Sequence, residues 1–164
     1  MKAMKILKNL FVVAPIVVFA GLSALAQSTE RPANPKFDAE LAKKLGADEH
    51  GMKNYVFVLL KTGPNDANFK GKERDDIFAG HFANIGRLAE AGKLAIAGPF
   101  GKNDRSYGGL FIFNVATVEE AQKLVETDPT VKAGVFIAEL TPWYGSASLM
   151  ATPEIHKTIQ KKSF

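Results

Sequence analysis

The sequence predicts an α+β fold in which one four-stranded sheet is crossed by two helices, in the order strand, helix, strand, strand, helix, strand. Three observations carry this. Four short apolar runs, the first of them rich in β-branched and aromatic residues, are set off by turn-forming glycines and prolines, as strands are. Between the first and second lies a stretch with apolar residues every three or four positions, and between the third and fourth a helix-start spelling. The length of 164 residues suits one domain of ordinary size.

The chain opens with three lysines among residues 1–9, followed by the apolar run 10–26, interrupted by Pro15, Gly21 and Ser23 and ending Ala24-Leu25-Ala26 before Gln27. A basic start, an apolar middle and a small-x-small finish read as a signal peptide over residues 1–26, cleaved after Ala26. The alternative is an uncleaved anchor, because the run approaches the shortest segment able to span a bilayer. Pro15 and Gly21 weaken a membrane helix, and the cleavage spelling has no purpose in an anchor. The expected location is therefore bacterial and periplasmic or secreted. Residues 27–36 (QSTERPANPK) hold two prolines and no apolar period, which makes them a flexible tether.

Residues 37–53 form an N-terminal extension in which Phe37, Leu41, Ala42 and Leu45 fall at helical spacing ahead of Gly46, predicting a short amphipathic cap over 38–45 that lies on the main body. The main domain follows over 54–144. Its first strand is 55–60 (YVFVLL), closed by Thr62, Gly63 and Pro64. Ile77, Phe78, Phe82, Ile85, Leu88 and Ala89 then make one stripe of a helix over 75–91, stopped by Gly92. Strands follow at 94–97 and 110–115, separated by a glycine-rich loop. Thr117 to Glu120 (TVEE) is a capping box opening a helix that runs to about Thr127. The fourth strand, 135–140, is expected to end at Pro142, which lacks the ladder donor. A C-terminal extension, 145–164, carries a short helix over 153–161 with Thr152 as its N-cap and Pro153 in the first turn.

This order is a split pair of crossover units, the ferredoxin-like βαββαβ arrangement, and right-handed crossovers place both helices on one face. The strands are nonetheless apolar on both sides: Phe111 and Phe113 point one way, Leu110 and Ile112 the other. The helix-free face needs a cover. A second copy packed face to face, giving a two-fold dimer, is the simplest, with the terminal extensions as the alternative.

Charge removes several functions. The whole chain is formally +4, but without Lys2, Lys5 and Lys8 there remain 18 basic residues against 17 acidic ones. So nearly neutral a chain offers no footprint for nucleic acid, nor for a membrane surface once the signal is cut. The absence of cysteine removes disulfides, thiolate nucleophiles and Cys-ligated metal.

Of the three histidines, His81 is the informative one, because Ile77 and Ile85 flank it four residues either way and set it on or beside the stripe facing the sheet. A partly desolvated imidazole there is suited to general-base work. A plain core histidine is the competing description. Asp128 precedes Pro129, so its backbone is steered out of the helix and its side chain is free to cap, turn or partner an imidazole. The glycine-rich segment 92–101 lacks a phosphate-loop spelling and reads as turn chemistry. Trp143 and Tyr144 either floor a ligand pocket or bury area at a dimer seam. Asp48 with His50, and Glu154 with His156, are metal-type residues that form no site as pairs. No metal and no cofactor is expected.

His81, RLAEAGKLAIAGPFG over 87–101, GGLFIFNVATVEEAQKLVETDP over 108–129 and KAGVFIAELTPW over 132–143 resemble the YCII-related (YciI-like) family, across about 55–143. The resemblance implies a ferredoxin-like domain that forms a dimeric α+β barrel, with a site pair of one histidine and one aspartate matching His81 and Asp128. An activity assigned within the family is lyase-type removal of chloride from a hydroxylated aromatic. The signal, the 37–53 extension, the 63–71 insertion and the tail after Tyr144 depart from its short members. The expectation is an exported homodimer acting as a small-molecule lyase or isomerase-type enzyme, with His81 as general acid/base and Asp128 orienting it. The alternative is a non-catalytic small-ligand-binding or structural module of the cell envelope. A haem-handling barrel is disfavoured, since His81 would be its one core ligand.

Overall fold

In the computed structural model, residues 34–162 are described. The expected signal peptide and all but the end of the tether lie outside them. The elements are α1 (Ala39–Leu45), β1 (Met52–Thr62), α2 (Gly71–Glu90), β2 (Leu94–Pro99), β3 (Tyr107–Phe113), α3 (Val118–Val125), α4 (Pro129–Lys132), β4 (Phe136–Ser146) and α5 (Thr152–Ile159), with single 3-10 turns at Asp66–Asn68 and Ala147–Ala151. The sheet runs β2-β3-β1-β4 with every neighbouring pair antiparallel, the ferredoxin-like order.

Alternation along the strands separates two apolar layers. Val56, Val58, Leu60, Phe111 and Phe113 face α2 and α3 and bury against Leu88, Ala121 and Val125. Tyr55, Ala95 and Ile112 face the other way. That helix-free face receives Leu149 and Met150 from the Ala147–Ala151 turn, so the C-terminal extension covers part of it. Phe57, Leu59 and Leu110 there are only half-buried, and Ile137 and Trp143 remain 50% and 39% exposed.

Several boundaries differ from the sequence reading. β4 does not stop at Pro142 but continues to Ser146, pairing residue for residue with the equally long β1. The hydrogen bond from the Gly63 amide to the Val135 carbonyl (2.7 Å) fixes which pairs in this antiparallel ladder exchange bonds. Counting in twos puts Pro142 opposite Val56 at a non-bonded pair, so the donor proline lacks would face away from β1, on the open edge. α2 begins at Gly71, a turn earlier than its apolar stripe, and β3 ends before Val115. α5 starts at Thr152 itself with Ala151 as N-cap and no capping side chain, so Thr152 is not the cap. Asp38 caps α1, left-handed Gly46 ends it as expected, and the helix lies against the Ala147–Ala151 turn with Ala42 and Leu45 half-buried, while Phe37 and Leu41 of the same stripe are 64% and 48% exposed. The Thr117 box forms, its hydroxyl accepting from the Glu120 amide, while the Glu120 carboxylate reaches one residue further, to the Ala116 amide.

Candidate active site

The inward face of α2 carries His81, Asn84 and Leu88. Helical spacing explains the selection, since positions three and four apart share a face. His81 is 7% exposed and sits among four aromatic rings, with centroid separations of 5.4 Å to Phe82, 5.9 Å to Phe111, 6.0 Å to Phe78 and 6.1 Å to Phe136. Phe136 reaches this position because Gly108 lies beneath its ring, where a Cβ would come within 2.5 Å of it.

Asp128 approaches from the turn after α3. Pro129 keeps it extended (φ −75°, ψ 124°) and opens α4, of which Asp128 is the N-cap. Its carboxylate is fully buried and completely employed. Oδ1 accepts from the Thr130 amide at 2.9 Å and the Thr130 hydroxyl at 2.6 Å, and His81 Nδ1 lies 3.0 Å from Oδ1 and 2.8 Å from Oδ2. Burial pushes this carboxyl upward, but the hydrogen bonds from His81 and Thr130 together outweigh it and hold the group below its ordinary range. A charged carboxylate on Nδ1 favours the ring proton there, which leaves Nε2 as the unprotonated nitrogen of the neutral ring.

The two chains of residues meet because α2 has glycine at the crossing. A Cβ on Gly80 would lie 2.9 Å from Pro129 Cγ, so only glycine admits this separation, and the residue after Gly80 and the residue before Pro129 form the His81–Asp128 contact. A second clamp lies one turn on: Arg87 Nη2 donates to Asn84 Oδ1 at 2.6 Å and to the Thr127 hydroxyl at 3.0 Å.

Beside His81 a cavity of about 560 Å³ opens to the surface. Phe78, Phe82, Ile85 and Ala89 of α2 form one wall, the β2 and β3 segments around Gly98, Pro99, Gly108 and Gly109 another, and Pro153, His156, Lys157 and Gln160 at α5 a third. His81 Nε2 has no hydrogen-bond partner among the described residues, and it is not among their sealed, unpartnered atoms. With its ring in the cavity wall, Nε2 is available to a ligand. An apolar enclosure of this size with one oriented imidazole has the make-up of a small-molecule site.

The structure thus brings His81 and Asp128 together across 47 residues of sequence. Trp143 and Tyr144 do not line the cavity: Trp143 stacks on Tyr55 at 5.7 Å on the helix-free face, and Tyr144 donates to Asp48. That bond, with the amides of Met52 and His50, draws the Asp48 carboxyl below its usual range and occupies it as a turn-holder. Among the described residues no three metal-type side chains cluster. Thr130, Gly80 and the α5 wall were missed. The spelling Asp-Pro-Thr was a usable signal for Thr130, because an N-cap aspartate accepts from the amide two residues on.

The model of the YCII-related domain matches residues 55–144, more than half of the chain. The protein belongs to the YCII-related family. Both His81 and Asp128 lie inside the matched span, whereas α1 and α5 lie outside this YCII-related region. Among solved structures, the chain is similar to 5-chloro-2-hydroxyhydroquinone dehydrochlorinase from Burkholderia phenoliruptrix AC1100, in complex with 2,5-dihydroxybenzoquinone. Identity is 26%, over 54% of this chain and 92% of that one, with a TM-score of 0.40. No curated protein matches this YCII-related chain.

Proposed function

We propose that this protein is an exported, homodimeric small-molecule enzyme of the lyase or isomerase type, in which His81 is the general acid/base and Asp128 its orienting partner. The observation that carries the reading is the buried His81 Nδ1 to Asp128 Oδ2 contact of 2.8 Å beside an open, mainly apolar cavity. Nε2 takes a proton from the bound molecule, and Asp128 balances the imidazolium that forms. In an isomerisation the same nitrogen returns the proton to another atom of the molecule. In a lyase step the proton departs with the leaving group, which takes its bonding electron pair with it. Membership of a family with an assigned lyase activity favours this over a simple core histidine, as does an imidazole whose second nitrogen is not sealed.

The self-partner is the helix-free face, where Phe57, Leu59, Leu110, Ile137 and Trp143 keep apolar surface that Leu149 and Met150 do not cover. Export rests on the spelling of residues 1–26. Among the described residues no helix is long and apolar enough to cross a membrane.

The test is a thermal-stabilisation screen of the protein against small hydroxylated aromatics and organic acids, repeated with His81→Ala, followed by turnover of whatever stabilises. Loss of turnover by about 10²- to 10⁴-fold in His81→Ala is expected of a general base. Ligands that stabilise wild type and variant equally would remove His81 from the site. Binding at His81 without turnover would select the non-catalytic reading.

A further inference from the structure

The cavity has two chemically different ends. Its inner end is aromatic and aliphatic, broken by the single imidazole of His81. Its outer end is polar: His156, Lys157 and Gln160 come from the C-terminal extension and Glu90 from the last turn of α2. Apart from Glu90, the outer groups lie on or just after α5, outside the span of the family domain, so this chain has added a wall where the matched region by itself leaves the cavity without one.

The electrostatics of that wall decide what it reads. Lys157 Nζ is held 2.8 Å from Glu154 Oε1. Bonding to Glu154, with Glu90 adding to the field, raises its proton affinity and keeps it cationic. Lys157, the cation in this wall, is already engaged by Glu154 and faces Glu90, while Lys44 also acts on Glu154, so the wall presents no unengaged cation to an anionic ligand. His156, by contrast, makes no side-chain hydrogen bond or ion pair with the described residues and is exposed at the mouth. Its imidazole offers a ring N–H donor to a hydroxyl-type group.

We propose that α5 is the specificity-determining wall of this site: a flat, largely apolar molecule lies in the cavity with one polar substituent at His81 and a second, uncharged hydroxyl-type substituent met by His156. The inference rests on the cavity being the ligand site described above. It adds that the outer end selects neutral hydrogen-bonding groups and rejects carboxylates.

Three para-substituted rings separate the two ends. Affinities of toluene, 4-methylphenol and hydroquinone for the full chain are measured by NMR titration, with 4-hydroxybenzoate as the charged arm. Hydroquinone is expected to bind more tightly than 4-methylphenol, and His156→Ala to cut that advantage by about 5- to 10-fold, the worth of one neutral hydrogen bond. The same substitution leaves 4-methylphenol against toluene unchanged. 4-Hydroxybenzoate is expected to bind more weakly than hydroquinone, and Glu154→Gln to narrow that gap. His81→Ala acts on the other comparison, 4-methylphenol against toluene, so failure there counts against the acid/base reading and not against α5. An undiminished hydroquinone advantage in His156→Ala, tighter binding of the carboxylate, or no binding of any ring at millimolar concentration would overturn the proposal. Because His156 is exposed, unchanged melting of the variant establishes that it is folded.

Discussion

Replacing Gly80 with alanine tests whether the helix crossing sets the geometry of the His81–Asp128 pair. The new Cβ would meet Pro129 Cγ at 2.9 Å, and ordinary contact begins at 3.4 Å, so α2 and α4 must part by about 0.5 Å. The proline ring is tied to the backbone at both ends, so it cannot swing aside as a free side chain would. The same displacement carried to the neighbouring pair stretches contacts of 2.8 and 3.0 Å to about 3.3 and 3.5 Å, the long limit of a hydrogen bond. Two effects oppose. Helix propensity favours alanine by about 1 kcal/mol. Weakening a buried charge-assisted bond costs about 1.5–3 kcal/mol, with overpacking of at least about 1 kcal/mol in addition. The net expectation is a loss of about 2 kcal/mol, or a fall in melting temperature on the order of 5–10 °C. Gly86 in the same helix has nothing within 4 Å of its would-be Cβ, so Gly86→Ala should instead gain up to about 1 kcal/mol. Calorimetry gives the stabilities, and imidazole nitrogen NMR reports whether the Nδ1 proton is still held. If Gly80→Ala melts higher, as Gly86→Ala should, with the His81 resonances unmoved, the crossing does not position the pair.

Asp128→Ala strips the partner from His81 and from both Thr130 donors in a fully buried place, and should cost about 3–5 kcal/mol by denaturant titration; wild-type stability would show the network to be idle. Because Asp128 titrates lower in the folded protein than its ordinary 3.8, its contribution is complete above that value and is lost as pH falls below it. Acid unfolding should therefore steepen below about pH 4, and Asp128→Asn should flatten that limb; an identical limb in the variant would assign it to other carboxyls. Sedimentation should give twice the 17.8 kDa chain mass for the uncleaved protein, and Ile137→Lys on the exposed sheet face should halve it, whereas a wild-type monomer would end the dimer reading.

Fold class and element order were legible because each element carries its own local period. The stripe from Ile77 to Ala89 and the alternation of Leu110 to Phe113 need no tertiary knowledge. The His81–Asp128 contact was only permitted by the sequence, since it depends on Gly80 and Pro129 fixing a distance between segments 47 residues apart. Pro142 misled because its effect depends on the neighbour: proline ends a central strand, yet on the edge strand β4 its missing donor faces outward. α5 was read as a helix but not as a wall, because nothing in residues 152–159 says which surface they meet. Phe37 and Leu41 have the spacing of a buried stripe and remain exposed, so period alone did not predict packing.

Pro142 has one more effect, on how copies of this chain can go wrong. The outward row of backbone groups on β4 is an open template for a further strand, the usual start of runaway polymerisation. With its amide replaced by a proline ring midway along eleven residues, that row cannot be zipped end to end by an incoming chain. Next to the opposite edge strand, β2, lie α5 and the Ala147–Ala151 turn. Growth by strand addition is thus discouraged at the β4 edge, and the helix-free face is left as the surface for the proposed two-fold dimer.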